Sequence, residues 1–390
     1  MSNGENWQGD VLRDLRAQLD GSAWGPPPAD GAQPAPAGPP QDRMPYDQAP
    51  PQDPAAQQYQ PPQGRQPYPQ QQPYPQQPQV TTQRTPESRP TVDGSLTALG
   101  RKPRGGEPFA SRAAHAVWKN VSSSASREVA EITRIAESLQ QPVTTGRQIA
   151  VTSIRGGAGK STVAALLGTT YAHYRQDPVL FVEADTALGS LPIRLGTETL
   201  RWTASDLAEI VKPQMSLLDI TGYLVQLQNN SWLLPGSQGQ IGAMLDARGY
   251  QRVMVALRRY FGVTVVDCQT LPDEVARVAL SAAQARVITT PATLDGIAST
   301  HAVLQWMRAL PAHVIAGTVV VVTELTPHAG VDVEAAVRTL RATGTTVHVL
   351  PYDRHLAAGG VIRTDLLARA TRSTATRLAA DVFQLSQKRH

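Results

Sequence analysis

Residues 155–162 read Arg-Gly-Gly-Ala-Gly-Lys-Ser-Thr, and they follow the apolar run Ile149-Ala150-Val151-Thr152. The run predicts a strand, and the small and aliphatic residues of 161–171 predict a helix. A glycine-rich turn between a strand and a helix points backbone N–H groups at an anion, and the helix dipole favours the same negative charge. This order of elements predicts a phosphate-binding loop at the start of an α/β domain.

The residue types in this loop suit a nucleoside triphosphate. Lys160 supplies a positive charge for the β- and γ-phosphates, and the Ser161 hydroxyl is a ligand for Mg²⁺. We therefore expect a nucleoside triphosphate with Mg²⁺ at this loop, and the family resemblance described below implies that the nucleotide is ATP. The predicted nucleotide-binding residues of the loop are Arg155, Gly156, Gly157, Ala158, Gly159, Lys160, Ser161 and Thr162.

Further apolar runs follow the loop and leave room for helices between most of them. They lie at residues 179–182, 263–266, 285–288, 319–322 and 347–350. Near-continuous apolar strands separated by helices are typical of parallel strands that are buried on both faces. We expect a doubly wound α/β domain over residues 147–390, with a mostly parallel sheet, helices on both faces and a ligand crevice at the carboxyl ends of the strands.

The chain ahead of this domain has a different composition. Residues 25–90 are dominated by Pro, Gln, Ala and Tyr, and Pro-Tyr-Pro-Gln-Gln occurs at both 67–71 and 73–77. Such a segment cannot bury enough apolar surface to offset its chain entropy. The composition predicts a disordered Pro/Gln-rich linker, partly in polyproline II conformation, over residues 25–100.

A short amphipathic pattern precedes the linker, within residues 1–24. Apolar side chains recur every four residues, at Trp7, Val11, Leu15 and Leu19. Gly21 is placed to end a helix after them. A helix this short has no core of its own, so we expect it to dock on a protein partner or to fold back on its own domain.

Residues 101–146 predict a helical extension between the linker and the domain. After Ser126, apolar residues mark one face of a helix, at Val129, Ile132, Ile135 and Leu139. We expect this face to pack on the domain. Because residues 101–104 include basic side chains, the alternative is that this segment is an arm that contacts DNA or a membrane surface.

Charge and composition exclude several classes of protein. Residues 1–90 contain 6 Lys+Arg and 9 Asp+Glu, and the other 300 contain 30 and 23, an excess of +7. The excess is spread along the chain, so it permits contact with nucleic acid or acidic lipid without requiring either. The single cysteine, Cys268, excludes an intrachain disulfide framework, and no apolar run is long enough for a membrane span. We expect a cytoplasmic protein, at most peripheral at the inner face of the cell membrane.

The loop resembles that of one branch of the P-loop proteins. Ile154 stands where the general motif G-x-x-x-x-G-K-[ST] has its first glycine. The loop is similar instead to K-G-G-x-G-K-[ST], the variant motif of the MinD/ParA ATPases, with Arg155 in place of the leading lysine. The resemblance covers residues 147–390 and implies the MinD/ParA-like P-loop fold.

Three further segments carry this resemblance. Residues 179–196, VLFVEADTALGSLPIRLG, resemble the second strand and first switch, which implies that Asp185 orients the attacking water and supports Mg²⁺. Residues 263–267 resemble a Walker B strand, which implies a second Mg²⁺-supporting carboxylate at Asp267. Pro351 lies in a late loop that is similar to the segment packed near the base. ATP rather than GTP is implied by the resemblance alone.

Each acidic residue also has an ordinary structural interpretation. Asp185 is placed where a strand-end cap would stand, and Asp267 ends an apolar strand, where an unpaired carboxylate is costly. Glu183 is assigned an electrostatic supporting role. The spacing of Asp185 from Lys160 and its strand context favour the switch role. The apolar setting of Asp267 favours a carboxylate that is paired or near a metal.

Arg155 is the main departure from the family motif. In MinD and ParA relatives the leading lysine reaches the phosphates of the partner subunit in an ATP-bound dimer. Arginine keeps the charge and adds bidentate geometry. The resemblance thus implies Lys160, Asp185 and Arg155 as catalytic residues, and an ATP-dependent homodimer. A surface arginine in a slow or inactive enzyme is the alternative.

The layout of the whole chain favours one group within this branch. A Pro/Gln-rich tail ahead of a MinD/ParA-like domain is similar to the EspI-type ATPases associated with type VII secretion in actinobacteria. This implies a slowly hydrolysing, dimerising switch that serves or regulates such a secretion system, with a protein partner bound through the N-terminal helix and the tail.

Other functions remain open from the sequence. A partition or positioning ATPase would act on DNA or on a membrane, and a nucleotide-gated scaffold would bind ATP without hydrolysis. The segment 374–390 resembles the last core helix of a domain more than a membrane anchor. A bacterial tyrosine kinase fits less well, because the arginine-bearing motif that follows the switch aspartate in those kinases is missing.

Overall fold

The structure is a computed structural model of the 390-residue chain. It describes residues 85–97, 103–107, 125–185, 189–212, 214–237, 245–270 and 273–388. The predicted docking helix at 1–24 and most of the predicted linker at 25–100 lie outside the described residues.

An eight-stranded sheet forms the centre of the described domain. The strands of the described chain are β1 Arg89–Pro90, β2 Arg147–Ser153, β3 Val179–Ala184, β4 Thr199–Leu200, β5 Val225–Gln226, β6 Ser231–Leu234, β7 Val263–Cys268, β8 Ala285–Pro291, β9 Thr318–Thr323 and β10 Thr346–Leu350. The sheet has the order β10-β9-β8-β2-β7-β3-β6-β5, and only the β5–β6 pair is antiparallel. The predicted mostly parallel sheet is confirmed.

Helices cover both faces of this sheet. They are α1 Gly94–Thr97, α2 Ala125–Leu139, α3 Lys160–Tyr174, α4 Leu191–Leu195, α5 Ala204–Ile210, α6 Leu217–Thr221, α7 Ala247–Leu257, α8 Glu274–Ala282, α9 Leu294–Met307, α10 Ala312–Ala316, α11 Val333–Arg341, α12 Arg354–Ala357 and α13 Arg369–Gln387. Successive side chains of a strand point to opposite faces, so Val151 packs toward α3 and α13, whereas Ala150 packs toward α5, α7 and α8. The predicted doubly wound architecture is therefore present.

The register of the central strands brings their carboxyl ends to one edge. Asp267 of β7 lies beside Val151 of β2 on one side and beside Glu183 of β3 on the other. The loop after β2 leaves the sheet at this level. Parallel strands thus place the glycine-rich loop and the acidic ends of β3 and β7 around one crevice.

The last helix belongs to the core. Leu378, Val382 and Phe383 of α13 are buried against α3 and the sheet, which confirms the predicted core helix. Among the described residues, no helix is long and apolar enough to cross a membrane.

The helical extension packs on the domain with only part of its apolar face. In α2, Leu139 is buried and Ile135 packs against the core, but Val129 and Ile132 are 62% and 50% exposed. Glu131 forms an ion pair with Arg377 of α13. The prediction that all four apolar residues pack inward is therefore wrong for Val129 and Ile132, and it holds for Ile135 and Leu139.

Residues 85–97 lie within the range predicted as linker, and part of this stretch pairs with the domain. β1 forms a two-stranded antiparallel ladder with β4, and Thr91 N donates to Glu198 O at 2.9 Å. Further along, Gly106 N donates to Leu366 O. The chain is thus attached to the domain well before β2 begins.

Candidate functional site

The glycine-rich loop has a backbone that other residues adopt only with strain. Gly157 and Gly159 have φ of +74° and +81°, and Gly159 caps α3. Glycine adopts positive φ at much lower cost than residues with a Cβ, so these two positions explain glycine at 157 and 159. Thr323 Oγ1 at the end of β9 donates to Ala158 O at 3.0 Å and fixes the loop against the sheet.

Lys160 joins the loop to the two acidic strand ends. Its Nζ lies 3.0 Å from Asp267 Oδ1 and 3.5 Å from Asp185 Oδ2. Lys160 is 7% exposed and Asp267 is completely buried. Burial by itself would lower the pKa of Lys160, but the attraction of Asp267 and then of Asp185 outweighs it and raises this pKa. The ammonium group is therefore held charged at the mouth of the loop.

The donors around Lys160 suit Mg²⁺. Asp267 Oδ2 is buried and has no hydrogen-bond partner among the described residues, so one carboxylate oxygen is left for a cation. Ser161 and Asp185 line the adjoining cleft and offer hydroxyl and carboxylate oxygens. The described residues contain no cluster of three or more His, Cys, Asp or Glu that could bind a metal. Mg²⁺ needs no such cluster when substrate phosphates complete its coordination.

A cleft of about 450 Å³ opens over the loop. Its lining includes the loop residues 157–162, Asp185, and residues 350–353 at the end of β10 and just after it, Pro351 among them. The structure thus brings Pro351 to the site that the sequence predicted for it. Arg155 and Gly156 are not among the lining residues. The volume is within the range of small-ligand pockets.

Arg155 contacts α9 instead. Its Nε donates to Ser299 Oγ at 3.2 Å and lies 3.9 Å from Asp295 Oδ2. About half of the Arg155 side chain is exposed to solvent. The predicted catalytic arginine therefore lies beside the cleft, bonded to the first turns of α9, rather than inside it.

Glu183 is buried directly behind the predicted switch. It accepts hydrogen bonds from Gly236 N at 3.0 Å and from Leu191 N at 3.3 Å. Burial, reinforced by the nearby carboxylates Asp267 and Asp185, raises the pKa of Glu183 to about 8. The side chain connects β3 to the start of α4 and to the segment after β6, so its supporting role is structural as well as electrostatic.

Sequence reasoning did not identify Arg194 as a residue of the cleft. Arg194 of α4 lines it, and Arg194 Nη1 donates to Leu356 O at 3.3 Å. Ile362 N donates back to Arg194 O at 2.9 Å. No local motif marks Arg194, since only the packing of α4 against the segment around α12 brings it to the nucleotide loop.

Comparison with known proteins gives two kinds of relative. The chain is 31% identical over 252 residues to the ESX-1 secretion-associated protein EspI of Mycobacterium tuberculosis, a match that covers 62% of this chain and 37% of EspI. It is 29% identical over 164 residues to the septum site-determining protein MinD of Synechocystis, which covers 42% of this chain and 60% of MinD. The chain thus spans less than two thirds of the length of both curated relatives. No family model matches.

A solved structure supports the fold. The ParA family ATPase of Chlorobium tepidum superposes with a TM-score of 0.51 at 16% identity, covering 60% of this chain and 98% of the other. At this level of identity the similarity concerns the fold alone. It agrees with the parallel sheet and the loop described above.

Proposed function

Since the chain is homologous to EspI and to the MinD/ParA ATPases, with their P-loop fold, we propose that it binds ATP with Mg²⁺, hydrolyses the ATP slowly and acts as a nucleotide-dependent dimerising switch. The observation that carries this proposal is the position of Lys160, a buried cation at the mouth of a glycine loop between two acidic strand ends.

Each residue of the site has a role in this proposal. The backbone N–H groups of residues 156–162 bind the phosphates, and Lys160 exchanges part of its contact with Asp267 for the β- and γ-phosphate oxygens. Ser161, Asp185 and Asp267 would hold Mg²⁺, which neutralises charge that develops on the phosphates. Asp185 orients a water whose oxygen attacks the γ-phosphorus as the bond to the ADP oxygen breaks.

The dimer is the proposed active species. Arg155 would leave Ser299 and Asp295 and contribute its guanidinium to the phosphates of the partner subunit. The solvent exposure of Arg155 supports this role, because an exposed side chain is free to reach a second molecule. Hydrolysis would then release the dimer and reset the switch.

The similarity to EspI supports a role beside a type VII secretion system. We propose that the domain at 147–390 is the switch, that residues 101–146 extend it, and that the part of the predicted linker ahead of β1 carries the helix at 1–24 to a protein partner. On this proposal the protein acts in the cytoplasm, with any membrane contact peripheral and through that partner. A partitioning role on DNA or on a membrane surface is the alternative.

Loss of the loop lysine tests the nucleotide site. Lys160→Ala should reduce the affinity for Mg·ATP by at least about 100-fold, because a buried charge-assisted contact to phosphate is lost. Calorimetric titration measures this affinity, with Lys388→Ala at the end of α13 as the control. Unchanged affinity in Lys160→Ala would refute the assignment of the loop.

The rate of phosphate release distinguishes an ATPase from a scaffold that binds ATP without hydrolysing it. Asp185→Ala should still bind ATP but release phosphate at least about 100-fold more slowly, since the attacking water loses its orienting group. Phosphate release is followed with excess ATP. If the wild type binds ATP and releases no phosphate, the nucleotide-gated scaffold replaces the ATPase.

A further inference from the structure

We propose that Arg194 of α4 binds the phosphate chain of the nucleotide within its own subunit, as a second cation in the cleft that Lys160 occupies. The inference rests on the proposed nucleotide site and deepens it. Arg194 lies outside the phosphate loop, and the role proposed for Arg155 concerns the partner subunit. The phosphates would thus be bound from the loop and from α4 at once.

Arg194 lines the same cleft as the phosphate loop, and this cleft has a volume of about 450 Å³. The volume is near the lower end for small-ligand pockets, so a nucleotide on the loop contacts most of the walls. Arg194 lies one helical turn after Ser190, which is also a lining residue. Next to Ser190, a Cβ added at Gly189 would lie 2.8 Å from Asp185 O. The wall that carries Arg194 therefore begins directly beside the carboxylate that contacts Lys160.

The guanidinium of Arg194 is oriented by the protein and still has donors to offer. Nη1 donates to Leu356 O at 3.3 Å and to Gly360 O at 3.5 Å, and both distances are longer than is usual for hydrogen bonds of this type. Nε is buried without a partner among the described residues, and Nη2 donates to none of them. A guanidinium carries five N–H donors in a planar fork, which matches the oxygens of a phosphate.

The charge of Arg194 is not balanced by a carboxylate. Within the described parts of the chain, no acidic side chain forms an ion pair with Arg194, and the three that line the cleft have other partners. Asp185 contacts Lys160. Asp353 accepts hydrogen bonds from three backbone N–H groups, and Glu324 accepts one. Burial lowers the pKa of Arg194, as expected for a cation that loses water without gaining a counter-ion. An anionic ligand would recover this cost.

The phosphates are the part of a nucleotide that meets these requirements. Arginine only donates hydrogen bonds, and the negative charge of a nucleotide lies on its phosphate oxygens. Contacts between arginine and phosphate are commonly bidentate and charge-assisted. The backbone of Arg194 is held separately, because Ile362 N donates to Arg194 O at 2.9 Å. The guanidinium can therefore turn from the two carbonyl groups to the phosphates while α4 stays attached.

Calorimetric titration of the full chain with Mg·ATP tests the inference on a series of substitutions. Arg194→Gln should weaken binding by at least about tenfold, because a charge-assisted contact is lost. Arg194→Met, a second neutral variant, should lose as much. Arg194→Lys keeps the charge and should recover most of the affinity. Arg338→Gln, on the exposed face of α11, is the matched control and should bind like the wild type.

The comparison of Arg194→Lys with the neutral variants isolates the charge, since all of them disturb the contacts with Leu356 O and Gly360 O. A residue that only ties α4 to this segment would give equal losses of affinity in the three variants. Thermal unfolding without nucleotide should give similar unfolding temperatures for the three variants, so that a difference in affinity reports on binding.

The outcomes separate this inference from the proposed function. Unchanged affinity in the neutral variants, or an equal loss in Arg194→Lys, would overturn the role of Arg194 while the phosphate site stands. If the wild type does not bind Mg·ATP, the proposed function fails and the inference fails with it.

Discussion

Glu183 is a carboxyl group whose ionisation opposes folding. Its pKa is about 8 in the folded protein against an ordinary value of 4.5, chiefly because burial disfavours the charged form. Between pH 4.5 and about 8, Glu183 therefore keeps its proton in the folded state and loses it in the unfolded state. The stabilising contribution is complete below pH 4.5 and is lost as the pH rises toward about 8.

We expect the free energy of unfolding to fall with pH over this window, and Glu183→Gln to remove part of the fall, because the amide does not ionise. Urea unfolding of both proteins at several pH values between 4.5 and about 8 measures the two slopes. The exposed Glu334→Gln should leave the slope of the wild type unchanged. Identical slopes in wild type and Glu183→Gln would show that Glu183 ionises normally.

The candidate site was predictable at some residues and not at others. Lys160 and Ser161 belong to one contiguous motif, and Asp185 and Asp267 each follow an apolar run, so local sequence marks all four. The structure places the other three against Lys160 or in the adjoining cleft. Arg194 reaches the same cleft only through the packing of distant segments, which no local pattern records.

At the scale of elements, α3 is the helix on which the loop depends. It is buried along most of its length, and Gly168 faces β3 where Phe181 leaves no room. A Cβ added at Gly168 would lie 2.0 Å from Phe181 Cε1. The glycine is therefore required by the close approach of helix and strand, and not by its backbone conformation.

Gly168→Ala should destabilise the protein by about 1–3 kcal/mol through overpacking. Helix propensity alone would favour alanine by about 1 kcal/mol. The sign of the measured change in unfolding free energy therefore shows which effect dominates. Thermal or urea unfolding measures the change. Gly330→Ala is the control, because a Cβ there meets nothing within 4 Å. A more stable Gly168→Ala protein would mean that α3 moves away from β3 easily.

Strands with long apolar runs were predictable, and shorter or polar elements were not. The runs predicted at 179–182 and 263–266 lie within β3 and β7, because complete burial requires apolar side chains on both faces. β6 escaped prediction because it is four residues long and begins with a serine. The run predicted at 319–322 lies within β9, and the apolar residues just ahead of it belong to α10, which ends before Gly317.

At the scale of the whole molecule, the role of Arg155 decides whether the protein is a dimerising switch or a monomeric enzyme. On the proposed function its guanidinium acts on a second subunit, so the contact with Ser299 and Asp295 belongs to the monomer. We expect light scattering to find a dimer with Mg·ATP and a monomer with Mg·ADP. Arg155→Ala should remain monomeric with both nucleotides.

An exposed arginine elsewhere supplies the control for charge. Arg338→Ala on α11 should dimerise like the wild type. Wild-type protein that stays monomeric with Mg·ATP would exclude the dimer mechanism and favour a nucleotide-gated scaffold. A dimer in Arg155→Ala would leave the switch intact and remove the arginine from it.

The ladder of β1 with β4 determines where mechanical load enters the domain. β4 begins just after α4, the helix whose first residue is bonded to Glu183. A pull on the chain ahead of Pro86 would therefore be borne first by the hydrogen bond from Arg201 Nε to Pro86 O and by the two paired residues of β1, and then by the segment that carries α4. So short a ladder yields before the central sheet does. On the proposed function, a partner bound to the tail would therefore pull on the segment that carries α4, next to the switch that responds to the nucleotide.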